Sequence, residues 1–311
     1  IVFDRGRVSE YLNRFFPILN ADETEKDKGA PLLRSTLTLT AIGNHDIALS
    51  NNWSGVDFSK YPDALGYYLF WSQPLNGPQK LINSKNTTVI QGNPETQLNF
   101  VRAAGNRFPT MANYSFDYGN SHWLVVDANP YMDWNNKKLR AWVENDLKNA
   151  KSAVWKFVLC HQPGFIIDNN HWIEQRMRLL CDIFEKNGVS IVFSGHAHTY
   201  QRSFPLKFKC EVTQGKKIVN NDNTVDGDFI LDKQFDGKGN TRPNGVIYIV
   251  SGAGGASLYR KGILEKKQYF FNDKFFSHKH SFTMCRVNGK TLTLRQLSCD
   301  GEKLDQITVT K

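Results

Sequence analysis

The chain has 311 residues, 40% of them hydrophobic, 13% aromatic and 22% charged, a balance that excludes a disordered or collagen-like polypeptide and suffices for one large domain or two ordinary ones. No apolar run approaches the ~20 residues needed to cross a bilayer, so no membrane span is expected. The net charge of +9 favours anionic partners, but the basic residues are dispersed, with groups no larger than Lys207-Phe208-Lys209 or Lys266-Lys267; they read as solvated faces, and nucleic-acid binding is not indicated.

Val8, Tyr11, Leu12, Phe15, Phe16 and Leu19 recur at three- and four-residue spacing, which predicts an amphipathic helix ending near 17–20. Residues 21–29 are a polar loop. The run from Leu37 to Ile42 reads as a buried strand broken by Gly43-Asn44-His45-Asp46. Residues 47–113, rich in Asn, Gly, Pro and aromatics, read as a long excursion with short helices. A strand is expected over 122–128, then a helix with Leu139, Trp142, Val143 and Leu147 on one face, then a strand over 154–160 leading into His161-Gln162-Pro163. The next helix buries Ile173, Met177, Leu180, Cys181 and Phe184 and stops at Asn187-Gly188, a C-cap signal. Residues 189–193 form a strand running into Ser194-Gly195-His196-Ala197-His198. The polar stretch 212–244 is an insertion or long hairpin. After it come a strand over 246–250, the turn Ser251-Gly252-Ala253-Gly254-Gly255, and hairpin strands over 282–287, 291–297 and 306–310 with turns at Asn288-Gly289 and Asp300-Gly301. Strand and helix alternate in the middle and hairpins close the end, so the fold class is α/β.

Five cysteines, Cys160, Cys181, Cys210, Cys285 and Cys299, include no Cys-x-x-Cys pair and so no thiolate zinc module. Cys160 and Cys181 lie in apolar stretches and read as small core residues. The chemistry sits elsewhere, in four polar clusters at the C-terminal ends of separate predicted strands: Asn44 to Asp46, His161, His196 to His198, and the turn at Gly252. In open α/β sheets ligands bind beyond those ends, so the clusters can converge on one cleft. On an extended segment His196 and His198 would project to one side and each offer an imidazole nitrogen to a metal. A lone His-x-His is equally a core or surface pair; adding His161 and Asn44 favours a metal site, since imidazole with a neutral oxygen ligand suits zinc, iron or manganese. His45 is the candidate proton donor to a leaving alkoxide, and Asp46 a carboxylate that orients a neighbour. Arg202 reads as a phosphate-holding residue or as the partner of a surface carboxylate, and His171 as a loop residue within reach of the cleft; these two are the candidate substrate-binding residues. His122 reads as core.

Gly43-Asn44-His45-Asp46, His161 after an apolar strand, and Gly195-His196-Ala197-His198 resemble, in order and spacing, the calcineurin-like metallophosphoesterase superfamily. The continuation Thr199-Tyr200-Gln201-Arg202, the turn 251–255 and the tail 282–311 look most like its purple acid phosphatase branch. The resemblance implies a single catalytic domain over 1–311, a four-layer α/β/β/α sandwich of two mixed sheets flanked by helices, with strands 282–310 completing a sheet. It further implies two divalent or trivalent metal ions, zinc, iron or manganese. Asn44, His161 and His196 would hold one and His198 the other, with His45 catalytic. Two aspartate-bearing motifs of the family are not in this chain, and Ile1-Val2-Phe3-Asp4 looks like the continuation of the second, which implies that both lie ahead of Ile1. Phe3 stands where the branch carries a metal-binding tyrosine, so the tyrosinate colour is not expected.

The implied reaction is hydrolysis of a small-molecule phosphate ester by a metal-activated hydroxide, with monoesters favoured. The alternatives are a phosphodiesterase acting on nucleotides or phospholipid headgroups, and a non-catalytic binding protein on the same scaffold. An extracellular or periplasmic location follows from the resemblance and from no residue of the chain.

Overall fold

A computed structural model of the protein describes residues 2, 4–26, 28–47, 55–78, 86–168, 171–259 and 269–311. The chain divides into two compact units, residues 1–114 with 125–133, and residues 115–124 with 134–311.

The first unit is built on aromatic packing. The predicted helix is present over 8–19, with a wider turn at Tyr11–Phe15 inside it, and it buries Tyr11 among Phe15, Phe16, Phe70 and Trp71. Within the 47–113 excursion lie the helices Gly66–Phe70 and Pro94–Ala104. The expected strand at Leu37–Ile42 is absent: the segment pairs with no strand among the described residues. Side chains satisfy its backbone instead, since the Tyr67 and Tyr114 hydroxyls both donate to the Thr40 carbonyl. Apolar alternation alone overstates the burial here, since Leu37 is 72% exposed and only Ile42 of the run is buried.

The second unit carries a seven-stranded mixed sheet with strands β1 (Tyr114–Tyr118), β2 (Ser121–Val125), β3 (Trp155–Leu159), β4 (Ile191–Ser194), β5 (Tyr200–Ser203), β6 (Ile247–Ser251) and β7 (Asn272–Phe276), in the order β7-β5-β6-β4-β3-β2-β1. β3, β4 and β6 are parallel neighbours, whereas β5 runs antiparallel to both β6 and β7. Their side chains alternate between two covered faces, as a pleated strand requires. Ile247 and Ile249 face a second sheet of antiparallel strands β8 (Ser281–Asn288), β9 (Thr291–Ser298) and β10 (Lys303–Thr310), where Leu292, Leu294, Ile307 and Val309 complete the core. Tyr248 points the other way and its hydroxyl reaches Cys181 at 3.2 Å in helix α2 (Cys181–Lys186). Helix α1 (Lys137–Asn149) buries Leu139, Val143 and Leu147, four residues apart, and its N-terminus is capped by the Asn136 side chain, which accepts from the Lys138 and Leu139 amides. The fold is therefore mixed α/β, two stacked sheets with helices on the larger one. Cys160 and Cys181 are buried thiols, as expected.

Candidate metal centre

Because β3, β4 and β6 are adjacent and parallel, the segments leaving their C-terminal ends emerge along one edge of the sheet. His161 follows β3, His196 to His198 follow β4, and Gly252 follows β6. Backbone hydrogen bonds lock the three together: Gly195 N–H donates to the His161 carbonyl at 2.9 Å and Gly252 N–H to the Thr199 carbonyl at 3.0 Å. A Cβ on Gly252 would fall 1.9 Å from the Ala197 carbonyl oxygen, so only glycine lets the turn lie against the histidine loop. That loop is not extended. His196 has φ 68°, the left-handed region, so the segment departs there from the expected extended backbone.

His196 turns inward, buried, with Nδ1 at 3.2 Å from His161 Nε2. Two nitrogens at 2.0–2.1 Å from a tetrahedral ion stand about 3.3 Å apart, so this spacing suits two ligands of one cation. On its other side His196 Nε2 meets Glu174 Oε2 at 2.9 Å. Both atoms are buried, so the carboxylate oxygen and the ring nitrogen face each other away from water. Glu174 Oε1 is 2.9 Å from His171 Nδ1, and His171 Nε2 is 3.1 Å from the Tyr259 hydroxyl. Among the described residues, one group of metal-type donors, His171, Glu174 and His196, gathers within 4.8 Å. Burial alone would raise the Glu174 carboxyl, but the two imidazoles outweigh it and hold the carboxyl well below its usual range. His198 Nδ1–H donates to the Ser257 carbonyl at 2.8 Å, leaving the lone pair on Nε2, and its ring stacks on Tyr259 at 4.4 Å. Imidazoles fixed by carboxylate and carbonyl partners are donors of the kind that first-row cations take.

In the first unit Asp46 is buried and accepts from the Gly43 amide at 2.8 Å, with the Tyr11 hydroxyl at 3.5 Å; it braces the turn that presents Asn44 and His45. His45 Nδ1–H donates to the Asp4 carbonyl at 2.6 Å, so its Nε2 is the nitrogen that can take up and deliver a proton. Phe3 lies outside the described residues.

The calcineurin-like phosphoesterase family profile matches residues 2–200, more than half the chain. The chain belongs to the calcineurin-like phosphoesterase family. Its likeness runs to the purple acid phosphatase branch. It is 33% identical over 135 residues to purple acid phosphatase 23 of Arabidopsis thaliana, a match covering 37% of this chain and 29% of that protein. To acid phosphatase type 7 of Mus musculus it is 24% identical over 222 residues, covering 64% and 46%. The chain thus spans less than half the length of these relatives. Its fold matches that of the purple acid phosphatase PPD1 from yellow lupin (Lupinus luteus) seeds with a TM-score of 0.54 at 18% identity, over 88% of this chain and 40% of that one.

Elsewhere in the phosphoesterase, Arg202 is not disposed as a phosphate ligand. It is buried in β5 with Nε 2.6 Å from Asp305 Oδ2 and a terminal nitrogen 2.8 Å from Asp273 Oδ2, so two carboxylates engage its guanidinium. Four residues from His198 in sequence, Arg202 is carried along the sheet by β5. His122 is buried, as expected of a core residue, yet Asp117 and Asp146 flank its two ring nitrogens at 2.8 Å each. Glu174 is not among the candidates that the sequence motifs mark. The His171-x-x-Glu174 spacing was its one signal, since a single turn, closed here by Glu174 N–H to the His171 carbonyl at 2.9 Å, brings positions three apart to one side.

Proposed function

We propose that this phosphoesterase hydrolyses small-molecule phosphate esters, monoesters in preference to diesters, at a dinuclear centre of zinc, iron or manganese. His161, His196 and His198 would hold the metals, with Asn44 a further ligand by its place in the family motif. The observation that carries the reading is the approach of His161 Nε2 to His196 Nδ1 at 3.2 Å, with Glu174 on the far side of the imidazole. Metals bound there would supply Lewis acidity toward phosphoryl oxygens and a water whose pKa falls to about 7.

The chain's own residues do the rest. The Glu174 carboxylate beside His196 Nε2 would favour the tautomer with the proton on that nitrogen, leaving Nδ1 to the ligand position. Ser257 does the same for His198 by accepting from Nδ1–H. His171, held between Glu174 and Tyr259, would donate from Nε2 to a phosphoryl oxygen that displaces the Tyr259 hydroxyl; burial works against its charge, but the Glu174 carboxylate outweighs it and favours the protonated ring. His45, oriented by the Asp4 carbonyl, would pass a proton from Nε2 to the departing alkoxide. We place the protein in an exported compartment with the branch it resembles. Parallel assays with p-nitrophenyl phosphate and bis(p-nitrophenyl) phosphate test the preference: faster turnover of the monoester is expected, and faster turnover of the diester would reassign the substrate class.

A further inference from the structure

A second cleft in the same unit, of about 630 Å³, lies among β5, β7, β10 and the 233–238 loop. Its size is that of a small-molecule site. Five cationic side chains line it, Arg202, Lys233, Lys238, Lys274 and Lys303, against three carboxylates, Asp236, Asp273 and Asp305. The carboxylates are already engaged. Asp305 accepts from the Tyr200 hydroxyl at 2.8 Å and from Arg202, Asp273 pairs with the same guanidinium, and Asp236 accepts the Lys238 and Asn240 amides at 2.8 and 2.9 Å. The lysines have no comparable partners among the described residues. Lys274 is 4.0 Å from Asp273, Lys303 donates to the Gln306 amide oxygen at 3.3 Å, and Lys233 lies over the Phe204 ring at 5.8 Å. Five cations against three carboxylates leave the lining net positive, with four ammonium groups around one concavity, and the apolar side chains of Phe204, Phe235 and Leu304 complete it. Such a cleft concentrates anions, because low-dielectric walls focus the field of like charges.

We propose that this cleft binds a small polyanion, a carbon-bodied molecule bearing several phosphate or sulfate groups, at a site separate from the metal centre. A bounded cleft with apolar lining suits such a ligand better than a long polyanion, which needs a continuous basic track. None of the lysines belongs to the metal site, so the proposal does not depend on the hydrolytic reading.

Calorimetric titration of the whole protein with sucrose octasulfate, which a phosphoesterase does not cleave, tests the site. Lys233→Glu/Lys303→Glu should weaken binding at least about tenfold, whereas Lys137→Glu/Lys138→Glu, the same charge change on α1 outside the cleft, should change it by less than about threefold. Lys238→Gln/Lys274→Gln should act in the same direction, and it serves in place of the reversal if that variant does not fold by circular dichroism. Displacement of the bound probe by methylenediphosphonate would mark phosphate as an acceptable source of the charge, and its failure to displace would mark sulfate; both support the site. Equal weakening by the cleft and α1 variants would overturn it, as would tighter cleft-dependent binding of a short DNA duplex than of the sulfated sugar.

Discussion

Glu174 touches two imidazoles with its two oxygens, and each contact does separate work: one orients His196, the other steadies His171. Glu174→Ala should lower metal affinity by about 10–100-fold, as loss of a carboxylate behind a metal-binding histidine does, with Glu174→Gln retaining part of it. Competition with a chelating dye measures this, and unchanged affinity in the alanine variant would rule the role out. Arg202 makes the opposite kind of prediction. Arg202→Ala leaves Asp305 and Asp273 without their cation and should cost about 3–5 kcal/mol in denaturant unfolding, with KM for p-nitrophenyl phosphate little changed; a large rise in KM at unchanged stability would restore the phosphate-holding role. At His122, burial lowers the ring pKa but Asp146 and Asp117 outweigh it, so the folded value is raised. The stabilisation is therefore fully present below the unfolded value of about 6.5 and fades as pH rises through the higher folded one. The stability difference between wild type and His122→Asn should shrink between mildly acidic and alkaline pH, and a constant difference would contradict the assignment.

Among the elements, those whose apolar period is local were legible in the sequence. Leu139, Val143 and Leu147 mark α1, and the glycine at 188 marks the stop after α2 through its left-handed φ of 72°. The left-handed backbone at His196 was not legible. It follows from the packing of β6's turn against the histidine loop, a contact between segments some fifty residues apart, and no local pattern encodes it. The turn's tightness leads to a direct expectation. Gly252→Ala forces the Ala197 carbonyl away from a 1.9 Å overlap, and with it the loop holding His196 and His198. Metal content should drop and the melting temperature fall with it, since the glycine follows a central strand of the sheet; full metal content in this variant would show the loop can yield without moving its ligands.

For the molecule as a whole, sequence order alone conveyed the α/β class and three of the strand-end clusters, because parallel neighbours with near-continuous apolar strands put their C-terminal ends together. It conveyed less of the side chains around the histidines: the His171-x-x-Glu174 spacing hints at Glu174, whereas Tyr259 arrives from a loop with no periodicity. The central claim is that these histidines hold catalytic metals. Elemental analysis of the full natural protein, beside p-nitrophenyl phosphate hydrolysis by wild type and His198→Ala, tests it most directly. About two metal ions per chain, with metal content and activity falling together in the variant, is the predicted result. A wild-type protein that carries no metal and hydrolyses no ester would contradict it.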